Sequence, residues 1–209
     1  MSTVANQKRR AFWLKHLHQW HWVSAAICLV AMLMFSITGI TLNHAAQISA
    51  KPTVTTREAK LPAPVLASLK SEADAAAKAP LPKIATEWIS DEMGLDTAGR
   101  IAEWSEDEVY VSMPKPGGDA WLSIDRATGD IQYERTDRGV ISWLNDLHKG
   151  RNAGPMWGWF IDVFAVACVL FASTGLLLLK MHSSRRPGTW PYVALGLVVP
   201  VVVIVLFVH

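Results

Sequence analysis

His18-Gln19-Trp20-His21-Trp22 opens an apolar run that closes on Thr38-Gly39-Ile40-Thr41-Leu42-Asn43-His44. Trp22 to Leu42 holds no charged residue. Its length of about 21 residues makes ~31 Å of α-helix, enough to cross the hydrocarbon core of a bilayer. A second run, Trp157 to Leu179, is bracketed the same way by His148 and His182 and carries one charge, Asp162. A third, Tyr192 to Val208, is shorter, with a kink predicted at Pro200. These runs predict a membrane α-helical bundle of three transmembrane helices.

The composition agrees. Of 209 residues, 51% are apolar, and most of the ten tryptophans flank the runs, as in the aromatic belts of membrane proteins. The two cysteines, Cys28 and Cys168, lie inside apolar runs, where they read as small hydrophobes and give no disulfide framework. The first run exceeds a signal-peptide core and has no clear cleavage motif after it, so it reads as a retained transmembrane helix.

Between the first two runs the composition changes. Lys51 to Pro64 reads as an extended linker. Val65 to Ala79 has helical spacing, with Leu66, Leu69, Ala73 and Ala76 on one face. Ile84 to Met93 is a second helix, with Gly94 at its C′ position. The period then shifts towards two, and Arg100–Trp104, Val109–Met113, Ala120–Asp125 and Asp130–Arg135 read as strands. Pro114 to Gly118 is a hairpin loop, and Asp125 to Asp130 a tight turn in which Gly129 takes positive φ. The insert is thus an α+β module with an antiparallel sheet. Gly139 to Lys149 is helical, with Val140, Trp143, Leu144 and Leu147 on one face. That face suits a helix lying on the membrane or packed on the bundle. No internal repeat beyond the bracketed helices is visible.

Charge sets the expected orientation. Lys8, Arg9, Arg10 and Lys15 precede the first run, and Lys180, Arg185 and Arg186 follow the second; every acidic residue but Asp162 lies in the insert and its flanks, 43–156. Short basic segments stay in the cytoplasm. The expected layout is a cytoplasmic basic N-terminus (1–21), transmembrane helix 1 (22–44), a periplasmic insert (45–138), and an interfacial helix and loop (139–156). Transmembrane helix 2 (157–180), a cytoplasmic loop (181–190) and transmembrane helix 3 (191–209) follow.

Seven histidines are present: His16, His18, His21, His44, His148, His182 and His209. One interfacial histidine is ordinarily just a polar helix end. Here His18, His21 and His182 are expected on the cytoplasmic side, and His44 with His148 on the outer side. A mononuclear zinc site wants three or four ligands, often with cysteine or carboxylate among them. Haem iron is held axially by one or two imidazoles. Small residues at Ser36, Gly39, Ala165, Ala167 and Gly175 leave room for a flat macrocycle. Lys149, Arg151, Arg185 and Arg186 stand at the levels of its propionates. From His21 to His44 is ~35 Å along a helix, so two haems, one near each face, are expected. His44 and His148 are the expected outer ligands; at the inner face His18, His21 and His182 compete for two positions. Asp162 either orients a ligand histidine through its second ring nitrogen or is an interfacial acid.

The set Leu17-His18-Gln19-Trp20-His21-Trp22, Thr38-Gly39-Ile40-Thr41-Leu42-Asn43-His44, Asn145-Asp146-Leu147-His148-Lys149-Gly150-Arg151 and Thr174-Gly175-Leu176 resembles the PepSY-associated transmembrane proteins. Ala120-Trp121-Leu122-Ser123-Ile124-Asp125 with Thr128-Gly129 resembles a PepSY domain. The resemblance runs from about residue 14 to 190. It implies an inner-membrane protein with haem b that reduces ferric iron or a ferric siderophore in the periplasm. Larger members of that family have a further span and more than one PepSY module, and this short chain implies a homodimer. PepSY modules elsewhere inhibit peptidases.

The expected function is therefore electron transfer across the inner membrane to Fe(III) or a ferric chelate, as a transmembrane ferric reductase. The expected sites are His18, His21, His44, His148 and His182 for iron, with Arg151 at a haem edge. A cytoplasmic reduced flavin or flavoprotein is the expected donor, since no Gly-rich nucleotide fingerprint is present. The bilayer is the other partner; no nucleic acid is expected. The alternative is a non-enzymatic PepSY membrane module that binds or inhibits a partner such as a peptidase. A metal permease or sensor is disfavoured, because three spans with one charge offer little pathway.

Overall fold

Helix α1 (Ser2–Asn43) continues the apolar run backwards through the whole basic segment without a break. Its 42 residues far exceed the ~20 that a bilayer core requires. The computed structural model describes residues 2–48, 51–71, 77–186 and 188–208. Ala73, Ala76, His209 and the side chain of Arg185 lie outside the described residues. The chain divides into two compact units, Met1–Met34 with Trp159–His209, and Phe35–Gly158.

The first unit contains most of α1, most of α5 (Pro155–His182) and α6 (Thr189–Phe207). These three helices are long and apolar enough to cross a membrane. Arg10 meets Met181, His21 meets Thr174 and Cys28 meets Cys168, so α1 and α5 run antiparallel in this unit. Small side chains line the seam: Ser24, Cys28, Ala167 and Thr174 are buried. Apolar lipid supplies no hydrophobic drive between helices, so close approach at small residues is what holds them. The Ser24 hydroxyl is satisfied within its own turn, donating to Trp20 O at 2.7 Å. Helix α6 has no buried residue and carries Pro200 inside it.

In the second unit, β1 (Thr53–Lys60), α2 (Ala63–Ser71), β2 (Lys78–Pro80), α3 (Lys83–Met93), β3 (Ile101–Trp104), β4 (Glu108–Ser112), β5 (Gly118–Asp125), β6 (Asp130–Asp137) and α4 (Gly139–Lys149) follow the end of α1. The sheet is antiparallel with strand order β1-β6-β5-β4-β3-β2. Leu122, Ile124, Val109, Val111 and Ile131 from the strands pack with Leu69, Ala85 and Ile89 from α2 and α3 into one core. Gly94 ends α3 at φ 65°, its N–H donating to Ser90 O, and Gly129 closes the β5–β6 turn at φ 78°. Both are turns that positive φ makes possible.

Two expectations are corrected. Lys51 to Pro64 is not a linker: it contains β1, paired over eight residues with β6. Val54 is exposed like its neighbours, so the edge strand shows no buried alternation; its β-branched run is what favours extension. Helix α2, described over Ala63–Ser71, does not reach Ala79, because Lys78–Pro80 is a strand paired with β3.

The β4–β5 loop positions α4. Gly117, at φ 76°, lies so close that a Cβ there would stand 2.7 Å from Trp143 Cβ. Its N–H donates to the buried carboxylate of Asp146 at 2.8 Å. A Cβ on Gly118 would collide with Thr136 O. Helix α4 then ends at Gly150, φ 67°, with His148 and Lys149 in its last turn.

Candidate functional site

Both long helices carry the same five-residue device. Phe35-Ser36-Ile37-Thr38-Gly39 in α1 and Phe171-Ala172-Ser173-Thr174-Gly175 in α5 share Phe, Thr and Gly at identical spacing. Each seats a histidine from elsewhere in its own unit.

In the second unit, the Thr38 hydroxyl donates to Phe35 O at 3.2 Å, and His148 Nδ1 is hydrogen-bonded to Thr38 Oγ1 at 2.7 Å. The imidazole lies 5.0 Å from the Phe35 ring at 43°. A Cβ on Gly39 would touch His148 Cε1 at 3.5 Å. One turn on, Thr41 donates to Asn145 Oδ1 at 2.9 Å, tying α4 to α1 beside the seat.

In the first unit, Thr174 donates to Leu170 O at 2.6 Å and Phe171 O at 3.0 Å. His21 Nδ1–H is shared between Thr174 Oγ1 and Phe171 O, each at 3.1 Å. The imidazole stacks on Phe171 at 4.6 Å and 14°, and a Cβ on Gly175 would stand 3.3 Å from His21 Cε1.

The other three predicted ligands use their own helices. His18, His44 and His182 donate Nδ1–H to Leu14 O (2.8 Å), Ile40 O (2.9 Å) and Leu178 O (2.9 Å). A carbonyl oxygen can only accept, so His18, His44 and His182 donate from Nδ1, and His21 does the same to Phe171 O. His148 is held at Nδ1 by the Thr38 hydroxyl. All five are thus anchored at Nδ1 and leave Nε2 for a ligand, the arrangement of a metal-ligating histidine. Asp162 orients none of them: every Nδ1 has another partner, and the carboxylate is exposed on α5.

The first unit brings its three predicted histidines together. His18 meets His182 edge-on, ring centroids 6.0 Å apart. His21 and His182 share a cavity of about 500 Å³ walled by Gly175, Leu178 and Leu179, with Arg186 at its rim. That set has two imidazoles, an apolar wall, the space left by a missing Cβ, and a cation for a carboxylate. It fits an axially ligated, propionate-bearing macrocycle. In the second unit His44 and His148 are each prepared separately; no hydrogen bond or ring contact joins them. Arg151 is exposed, and its N–H donates to Asp146 O at 2.8 Å in the turn that ends α4. Among the described residues, no three His, Cys, Asp or Glu side chains gather as a conventional metal site.

Sequence reasoning missed the role of Phe35, Thr38, Phe171 and Thr174. Their repeat is visible in the sequence, but its two copies are short and lie far apart. It also missed that Cys28 and Cys168, both free, are hydrogen-bond neighbours across the α1–α5 seam.

A family model described as "Putative PepSY_TM-like" matches residues 12–209. No curated protein and no solved structure matches.

Proposed function

The chain belongs to the PepSY_TM-like family, and from that premise we propose that it is an inner-membrane haem b protein that carries electrons to Fe(III) or a ferric chelate in the periplasm. The observation that supports this most is the duplicated Phe-x-x-Thr-Gly seat. Each copy holds a histidine by Nδ1 and leaves Nε2 for a ligand.

Each half of the proposed relay has the same parts: a seat, a seated histidine, and a second histidine downstream of the seat that bonds its own helix. For the inner half these are Phe171 to Gly175, His21 and His182. For the outer half they are Phe35 to Gly39, His148 and His44. The parallel supports His21 with His182 as the inner pair, with His18 as the neighbour that packs on His182. Arg186 supplies a charge-assisted donor at the edge of the inner cavity. Haem b, when bound, supplies a one-electron centre whose potential the axial ligands and their hydrogen bonds tune. Leu178 and Leu179 keep water from the imidazoles, and the Thr hydroxyls and helix carbonyls hold the ring orientation.

The basic ends of α1 and α5 support an orientation with the N-terminus in the cytoplasm and the insert in the periplasm. Electrons then enter from a reduced flavin or flavoprotein. Among the described residues, the inner cavity is walled by α1, α5 and the turn after α5, which leaves a side for a second copy to close and favours a homodimer.

Absorption spectroscopy tests the proposal. Detergent-purified protein from haem-sufficient cells is expected to show a Soret band and sharp α and β bands on dithionite reduction. Added Fe(III) is expected to reoxidise it. Absence of any Soret band would overturn the proposal and leave a partner-binding or peptidase-inhibiting module as the reading.

A further inference from the structure

The insert holds a second cavity, remote in composition from the histidines. Strands β1 and β6 pair Arg57 with Tyr133, Thr55 with Arg135 and Thr53 with Asp137. Alternation along each strand puts all six on one face. This is the face that Ile131 and Tyr133 bury in the core. Beyond Gly94 and Leu95, where α3 has ended, it turns polar and borders a cavity of about 480 Å³. Lys115, from the β4–β5 loop, closes another side.

The charges do not balance. Arg135 lies 3.4 Å from Asp137, the one carboxylate in the lining. Among the described residues, neither Arg57 nor Lys115 has an acidic partner. Arg57 donates one Nη1–H to Met93 O at 3.2 Å, which fixes the guanidinium and leaves its other donors free. Tyr133 is 5% exposed and lines the cavity, where its phenol offers a donor for a ligand oxygen. Two uncompensated cations, a phenol and two threonine hydroxyls describe a receptor for a small anion rich in oxygen acceptors. The volume is that of a small-molecule site.

We propose that this cavity binds a small carboxylate-rich anion, and that it docks the anionic shell of a hydroxycarboxylate ferric chelate for reduction. The docking role rests on the electron-transfer reading; the anion site does not. Bidentate Arg–carboxylate geometry favours carboxylate at Arg57, with Lys115 as a point charge beside it.

The full chain in detergent is titrated calorimetrically with citrate, with Ga(III)–citrate as a redox-inert analogue, and with inorganic phosphate. Citrate and Ga(III)–citrate are expected to bind one per chain, more weakly as salt rises. The pair Arg57→Gln with Lys115→Gln is expected to weaken binding at least tenfold, while Lys60→Gln, in an exposed ion pair outside the cavity, leaves it unchanged. An unaltered thermal melt of the double variant shows that it folds. No saturable binding of either citrate species overturns the proposal, as does equal binding by a folded double variant, or phosphate binding tighter than citrate. A Soret band without citrate binding sinks the anion site alone. Citrate binding without a Soret band sinks the relay and the docking role, and leaves the anion site standing.

Discussion

The two histidine seats share their chemistry and differ in what brings the histidine to them. His21 rides on α1, one of the membrane-length helices, and meets its seat through close packing of small residues along α5. It has two acceptors and a flat stacking contact. His148 rides on an 11-residue helix that is too short to be stable alone. That helix is held by Gly117, Trp143 and Asp146 against a folded sheet, and its histidine has one hydrogen-bond partner. The same five-residue motif therefore serves two modes of positioning. One depends on helix packing in the membrane segment, the other on the integrity of the insert.

Removing the histidines breaks the comparison most completely. His21→Ala and His148→Ala are each expected to halve the haem bound per chain, and the double variant to lose all of it, read by the pyridine haemochrome assay. Complete loss in either single variant would mean that the seats do not serve separate sites. Next in size is Gly118→Ala. Its Cβ meets Thr136 O, a backbone atom that cannot move without disturbing the β5–β6 pairing. The expected cost is ~1–3 kcal/mol of insert stability, with loss of the His148-linked haem only. Chemical denaturation followed alongside haem content separates the two effects.

A finer asymmetry follows from the hydrogen-bond partners. Thr38→Val removes the one partner at His148 Nδ1 and is expected to weaken haem retention by about 10–100-fold. Thr174→Val leaves Phe171 O to accept from His21, so its effect is expected to be smaller. Haem transfer to apomyoglobin measures both, and an equal loss would show that the Thr hydroxyls do not orient the rings.

The smallest effect concerns acid. Asp125 accepts N–H bonds from Thr128 and Ala127, which hold its carboxyl below the usual carboxylate range. The carboxylate is the form favoured by folding, so its stabilisation is present above the unfolded value, about pH 4, and is lost as pH falls through the folded value. Asp125→Asn is expected to flatten the acid limb of the insert's circular-dichroism titration slightly and to leave the His21 half untouched.

Much of the fold was legible because its signals are local. The hydrophobic lengths of α1, α5 and α6, the limits of α4, and the turns at Gly94, Gly129 and Gly150 follow from hydropathy and positive φ. Strand β1 was not legible: it is an edge strand exposed over all but Ala59, and its partner lies seventy or more residues on. The site divides the same way. The five histidines stand out in the sequence, while Phe35, Thr38, Phe171 and Thr174 read there as ordinary helix residues.

The amino-acid sequence by itself determined three membrane-length helices, an α+β insert, and histidines bracketing the apolar runs, because hydrophobic length and turn chemistry act over a few residues. Only the tertiary structure decided which nitrogen of each imidazole is engaged, that His21 shares a cavity with His182, and that β1 and β6 gather cations on one face. The physical reason is separation along the chain. His21 and Thr174 are 153 residues apart, and Thr38 and His148 are 110 apart. Hydrogen bonds over such spans exist only after packing has brought the helices together.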